Sequence, residues 1–186
     1  MEENRKSARL VSRFHAPAAK QPNERLRAAT GKNLLVLSRG LFENTLRVLS
    51  ERSAGWRESA AIWVGRVVDD EWIVEAVHFH HELGDDQAGA LSLELSEAAK
   101  FRLYAEIGKQ NRRVIALIHT HPGEWVGLSD IDERNQIGSR IGFWSLVAPW
   151  YAREPWDIQS IGVHVRCEFG WARLDQDEIP QRVRIL

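Results

Sequence analysis

From residue 33 onward, apolar and polar positions follow two periods. Leu34-Leu35-Val36-Leu37 is a short apolar run and predicts a strand. Leu41 to Arg52 carries apolar residues at 41, 42, 46 and 49, close to a helical repeat. Ala60 to Val68 is apolar and β-rich, Asp69-Asp70 marks a turn, and Trp72 to Phe79 returns as the second strand of a hairpin. Gly84 to Gly89 is a polar loop. Ser96 to Ile107 predicts a helix, with Ser96 as its cap and Gly108 as its stop. Val114-Ile115-Ala116-Leu117-Ile118 is an unbroken apolar run of the kind found in strands buried on both faces. Ser129 to Ile137 predicts a short helix ended by Gly138. Trp144 to Ala148, Gly162 to Phe169 and Trp171 to Leu174 read as late strands. Strands interleaved with helices predict an α/β (mixed α+β) domain, a central sheet flanked by helices.

Composition divides the chain in two. Residues 1–30 hold seven Lys/Arg against three Glu, with Pro17 and Pro22 to break any long helix. Residues 1–32 are therefore expected to be a flexible basic arm, solvated or touching an acidic partner, and residues 33–186 a single compact domain. Over the whole chain, 25 basic residues nearly balance 26 acidic ones, which gives no global pull toward nucleic acid. A 44% hydrophobic content excludes a wholly disordered chain. The single cysteine, Cys167, excludes an internal disulfide and a Cys-rich zinc cluster, suits a reducing compartment, and reads as a buried, inert thiol. The longest uncharged apolar run, Ile141 to Ala152, is 12 residues long, too short for a membrane helix, and the first residues lack a signal-peptide core. A soluble, cytoplasmic protein without membrane contact is expected.

The candidate chemistry lies at the end of the buried strand. His119 and His121 sit two apart, a spacing that points both imidazoles to one face of a strand, and Pro122 ends it. Ten residues later Asp132 can return a carboxylate to the same point. Two His and one carboxylate, with a fourth position left for water, form a catalytic zinc arrangement. Ser129-X-X-Asp132 also reads as a helix cap, which does not conflict with a metal role for the aspartate. His78-Phe79-His80 repeats the spacing without a following Ser and Asp at useful spacing and reads as a half-exposed strand.

His119-X-His121, seven residues, Ser129, two residues, Asp132 resembles the JAMM motif of the MPN-plus metalloproteases. The upstream element of that family, a Glu before an apolar strand containing Gly, resembles Glu58-Ser-Ala-Ala-Ile-Trp-Val-Gly65; the family's Gly three residues after the Glu is Ala61 here. Glu51 is the alternative acid, less well spaced from the strand. The resemblance covers roughly residues 33–175 and implies an MPN, cytidine-deaminase-like fold. It implies that His119, His121 and Asp132 bind one Zn²⁺, that Glu58 is the general base, and that Ser129 hydrogen-bonds the oxyanion. It implies a zinc isopeptidase cleaving after the C-terminus of a ubiquitin-like protein, in precursor processing or deconjugation. Associated activating and conjugating enzymes, including those of bacterial antiphage systems, are the implied partners. Release of an amino acid from a sulfur-carrier protein and a zinc-holding scaffold without turnover are the alternatives. The DNA-repair branch of the family has Asn where this chain has Thr120. In the family, segments in the region of loop 82–90 help hold a substrate tail extended, beside the plainer reading of a solvent loop, and Trp125 is expected at the site rim, packing a substrate tail or anchoring its own loop. Trp63 belongs to the strand after Glu58, and the other six of the eight Trp are expected in the core.

Overall fold

The computed structural model describes residues 33–83 and 95–186. The basic arm and most of loop 82–90 lie outside the described residues. The elements in chain order are β1 (Leu34–Leu37), α1 (Arg39–Ser53), β2 (Ala60–Val68), β3 (Glu71–Phe79), a 3₁₀ turn (His80–Leu83), α2 (Glu97–Lys109) and β4 (Arg113–Thr120). They continue with α3 (Asp130–Arg134), β5 (Trp144–Ala148), 3₁₀ turns at Trp150–Ala152 and Ile158–Ser160, β6 (Gly162–Cys167), β7 (Gly170–Arg173), α4 (Ile179–Arg182) and β8 (Val183–Ile185). The strands form one mixed sheet in the order β7-β6-β5-β4-β2-β3-β1-β8. β2 pairs antiparallel with β3 and β4, while β4 pairs parallel with β5. The fold is thus the expected mixed α/β arrangement, and among the described residues no helix is long and apolar enough to cross a membrane.

Each face of the sheet buries one helix. α1 lays Phe42, Leu46 and Leu49 on Ala61, Trp63, Ala116 and Ile118. α2 lays Ala99, Leu103 and Ile107 on Ile62 and Val64 of the opposite face. β2 therefore alternates between two cores rather than between core and water, which is why Ala60 to Val64 is an unbroken apolar run. Both helices start where a serine caps them: the Ser38 side chain accepts from Leu41 N–H, and Ser96 from Ala99 N–H.

Several expectations are corrected. The predicted helix 129–137 stops at Arg134, because Gln136 turns inward to bond Ser145 Oγ and Ile137 enters the core under α2. β6 ends at Cys167 rather than at 169, since the chain turns back through Gly170 at φ +139°. α2 runs past Gly108 to Lys109. β3 ends at Phe79, so His80 is not on a half-exposed strand but buried in the 3₁₀ turn. Of the six tryptophans assigned to the core, Trp72 and Trp144 are buried, Trp156 and Trp171 half-buried, and Trp56 and Trp150 are 60% and 52% exposed. Cys167 is buried, its thiol donating to the Gly170 carbonyl at 3.1 Å, and burial pushes its pKa up.

Two local features matter beyond the framework. Trp150, Tyr151 and Ala152 take consecutive left-handed conformations, at φ +52°, +57° and +54°. Such residues each cost about 1–3 kcal/mol and persist only where their surroundings hold them. Gly65 sits at an irregularity in the β2 pairing, and a Cβ there would lie 1.9 Å from the Ile73 carbonyl oxygen. Gly65→Ala is expected to force β2 and β3 apart and lower stability by about 1–3 kcal/mol. A urea titration of the purified variant reads this directly; an unchanged midpoint would mean that the sheet absorbs the methyl.

Candidate metal centre

The antiparallel register of β2 with β4 sets Ala60 opposite His119, which carries Glu58, two residues upstream, toward the C-terminal end of β4. A buried cluster of hydroxyls fastens this junction. Thr120, between the two histidines, accepts the Ser59 N–H on Oγ1 at 2.9 Å, and its own N–H bonds the Ser59 carbonyl at 3.0 Å. Ser53 Oγ lies 2.9 Å from Ser59 Oγ and 3.2 Å from Thr120 Oγ1, and Ser59 Oγ donates to the Leu49 carbonyl. The end of α1, the residue after Glu58 and the residue between the histidines are thereby tied together.

The histidine loop is held from two more sides. Tyr151 N–H donates to the His121 carbonyl at 2.8 Å and Trp150 N–H to the Gly123 carbonyl at 3.0 Å, so the left-handed turn clamps the backbone around Pro122. Further along, the Val126 carbonyl rests on Gly162 of β6, where a Cβ would sit only 1.9 Å away. His121 lies just past the end of β4, and these contacts keep it in line with His119.

The expected ligands His119, His121 and Asp132 meet. The two Nε2 atoms are 3.2 Å apart; His119 Nε2 is 3.3 Å from Asp132 Oδ1, and His121 Nε2 is 3.4 Å from Oδ2. A tetrahedral ion with ligands at ~2.0–2.1 Å has ligand–ligand edges of about 3.3–3.4 Å. The separations between donors are of that order, with each imidazole facing a different oxygen of the Asp132 carboxylate, and one donor atom from each of the three residues lies within 4.8 Å of the others. His119, His121 and Asp132 are also the group among the described residues whose donor atoms converge closely enough for a metal. The tautomer fits as well: His121 Nδ1–H donates to the Trp125 carbonyl at 2.9 Å, which leaves the Nε2 lone pair facing the triangle. Trp125 packs its ring on the same imidazole, centroids 5.1 Å apart and planes within 17°.

Ser129 plays the capping role. Its hydroxyl accepts from Asp132 N–H, and its N–H and Oγ–H both donate to Asp132 Oδ2 at 2.7 Å. Burial opposes ionisation of Asp132, but the His119 and His121 contacts and Ser129 outweigh it and hold the carboxyl well below the usual carboxylate range. Glu58, half-buried beside the triangle, behaves oppositely. Burial pushes its carboxyl up to about 7, with His121 pulling down and Asp132 adding to the rise. Glu51, the alternative acid, is exposed and paired with Arg47 at 2.7 Å. His78 and His80 lie outside the triangle. The hydroxyl clip escaped the sequence reading, because isolated Ser and Thr residues give no periodic signal; so did His164, buried in β6 and held neutral, its pKa down at about 3, by burial and by Arg173.

No family model matches the chain. The chain is 27% identical over 134 residues to the probable metalloprotease y4jG of Sinorhizobium fredii, an alignment that covers 71% of this chain and 80% of the relative. A protein of Desulfitobacterium hafniense, solved in solution, superposes at TM-score 0.58 over 82% of this chain and 93% of its own, at 14% identity; this likeness bears on fold alone. A JAB1/MPN domain protein of Archaeoglobus fulgidus covers 84% of this chain and 99% of its own at 15% identity, but at a TM-score of 0.45 it adds no weight.

Two outcomes are expected of the metal-free protein. Thr120→Val, which strands the buried Ser59 N–H, should lower stability by about 1–3 kcal/mol, and Thr120→Ser should restore most of it; chemical denaturation of both variants checks this. The raised pKa of Glu58 means that the folded state binds its proton more tightly than the unfolded chain. Its contribution is fully present below pH 4.5 and is lost as the pH rises through about 7. Glu58→Gln should therefore gain stability relative to wild type across that window in chelator-treated samples. A constant difference from pH 4 to 8 would remove the proposed burial of the charge.

Proposed function

We propose that the protein is a JAMM-type zinc metalloprotease that cleaves after the C-terminus of a ubiquitin-like protein. The observation that carries the hydrolase reading is the convergence of His119, His121 and Asp132 on one point, with Glu58, whose carboxyl is pushed up to about 7, beside it. Zinc in such a site supplies Lewis-acid polarisation of a carbonyl and lowers the pKa of water to about 7. His119 and His121 would offer Nε2 and Asp132 its carboxylate, and the Trp125 carbonyl would keep His121 in the required tautomer. Glu58, titrating near neutrality, suits a group that takes a proton on one oxygen and returns it to the leaving nitrogen. Ser129 has two donors on Asp132 Oδ2. Its hydroxyl can turn to a substrate oxyanion while its N–H still orients the carboxylate. No side-chain nucleophile is required, in keeping with the buried Cys167. The ubiquitin-like substrate, and activating and conjugating enzymes as partners, rest on the motif resemblance; the name of the Sinorhizobium relative supports the protease class.

The test pairs metal analysis with cleavage. One zinc per chain is expected in wild type and in Glu58→Gln, and none in His119→Ala. Wild type should cleave a ubiquitin-like protein extended at its C-terminus, chelator should abolish this, and Glu58→Gln should lose about 10²–10⁴-fold in rate. Stoichiometric zinc without cleavage of any ubiquitin-like C-terminus would sink the substrate assignment.

A further inference from the structure

The two candidate histidine ligands are held by different means. His119 lies within β4, flanked by Ala60 of β2 and Val147 of β5, and is buried. His121 lies just past the strand. Its N–H donates to the Ala148 carbonyl and its own carbonyl accepts from Tyr151, bonds that fix its backbone but not the rotation of its ring. The His119 ring meets it edge-on, centroids 5.0 Å apart and planes at 63°. Two contacts from residue 125 set the plane of the imidazole. The Trp125 carbonyl accepts from Nδ1 at 2.9 Å, and the indole stacks along the imidazole face with planes within 17°. A hydrogen bond at one corner still lets a ring tilt about it. A flat neighbour on its face opposes that tilt.

The indole has a support of its own. A Cβ at Gly127 would lie 2.7 Å from Cζ2, 2.8 Å from Cε2 and 3.0 Å from Nε1 of Trp125, so the ring occupies the space that any side chain at 127 would claim. Between the two, Val126 is buried and its carbonyl rests on Gly162 of β6. Segment 125–127 is thus pinned at its middle, and a methyl at 127 would displace the indole rather than the backbone. Filling the core does not explain the ring. Trp125 is only half-buried and belongs to neither hydrophobic cluster among the described residues.

We propose that Trp125 is a positioning residue: its indole, seated by Gly127, fixes the plane of the His121 imidazole and hence the direction in which Nε2 offers its lone pair. This rests on the metal reading of the triangle. A metal–imidazole bond is directional, with the lone pair in the plane of the ring, so a ring that tilts on a fixed backbone binds less well. The contacts act in a fixed order, from Gly127 to the indole and from the indole to the imidazole. A methyl at 127 therefore matters only while the indole is present.

The test is the zinc affinity of the full chain, measured by competition with a chromophoric chelator. Trp125→Ala and Gly127→Ala should each weaken zinc binding roughly 10–100-fold, while Trp125→Phe, which keeps a flat ring, should stay within about threefold of wild type. Adding Gly127→Ala to Trp125→Ala should cost nothing further, whereas two independent losses would multiply. Cobalt(II) loaded in place of zinc should show an altered visible absorption band in Gly127→Ala, because its ligand geometry shifts. Urea titrations with chelator establish that each variant is folded. If either single variant is not, Trp125→Leu, bulky but not flat, is set against Trp125→Phe. Zinc uptake by wild type with unchanged affinity in the variants overturns the proposal, and so do multiplied losses in the double variant. Unchanged zinc affinity beside weaker binding of a substrate tail would assign the indole to the tail and overturn it as well. Wild type that takes up no zinc overturns the metal reading, and this proposal with it.

Discussion

The pairing of β2 with β4 is the constraint from which the site follows. Metal-type donors come from the end of β4, the candidate base from the residue pair before β2, and only the antiparallel register with Ala60 opposite His119 brings them together. Backbone bonds alone fix strands along the ladder but leave their ends prone to fray. The Ser53–Ser59–Thr120 clip sits at that fraying end, buried, and converts it into a fixed corner. Thr120 suits this place because its side chain points away from the face that His119 and His121 share. One residue thus separates the two candidate ligands and anchors the strand that brings the candidate base.

The opposite side of the histidine loop is held by different means. Pro122 ends the strand, and the carbonyls of His121 and Gly123 on either side of it find their donors outside the ladder. Trp150 and Tyr151 supply them from a backbone conformation that is costly in isolation. The sheet itself makes this possible, since β4 and β5 run parallel and end at the same level, with Thr120 paired to Ala148. The turn leaving β5 therefore falls beside the loop leaving β4, and the strain of one is offset by the order it gives the other.

Much of this was legible in the sequence, for physical reasons that differ by element. β2 and β4 were visible because strands covered on both faces must be apolar throughout, and the start of α2 because the Ser96 side chain announces a helix cap; Ser38, the cap of α1, was not read. His119, His121 and Asp132 stood out because metal ligation demands particular donors at particular spacings. The short C-terminal strand β8, which adds to β1 through three residues, has no such signature. The extent of α3 was overestimated because Ile137 keeps the helical period while packing from a turn. Trp56 and Trp150 were misplaced for a simpler reason: a large apolar residue is assigned to the core by default, and only contacts distant in sequence show that a loop carries it outward.

Electrostatics ties the corner to its chemistry. Two Nε2 lone pairs 3.2 Å apart repel unless positive charge lies between them, and the carboxylate of Asp132, anchored by two donors from Ser129, asks for the same thing. In the protein alone that demand falls on the imidazoles: burial opposes a charge on His121, yet Asp132 and the Trp125 carbonyl hold its pKa above the ordinary value. A dication at the same point would satisfy all three donors at once, and the Trp125 carbonyl already holds the far nitrogen of His121 in the form such an ion needs. Glu58 stands just outside, too buried to ionise freely and too close to Asp132 to do so without penalty. Positive charge placed in the triangle would ease its deprotonation. The same burial that makes Glu58 a poor surface acid therefore keeps it poised to gain or lose a proton according to what the triangle holds.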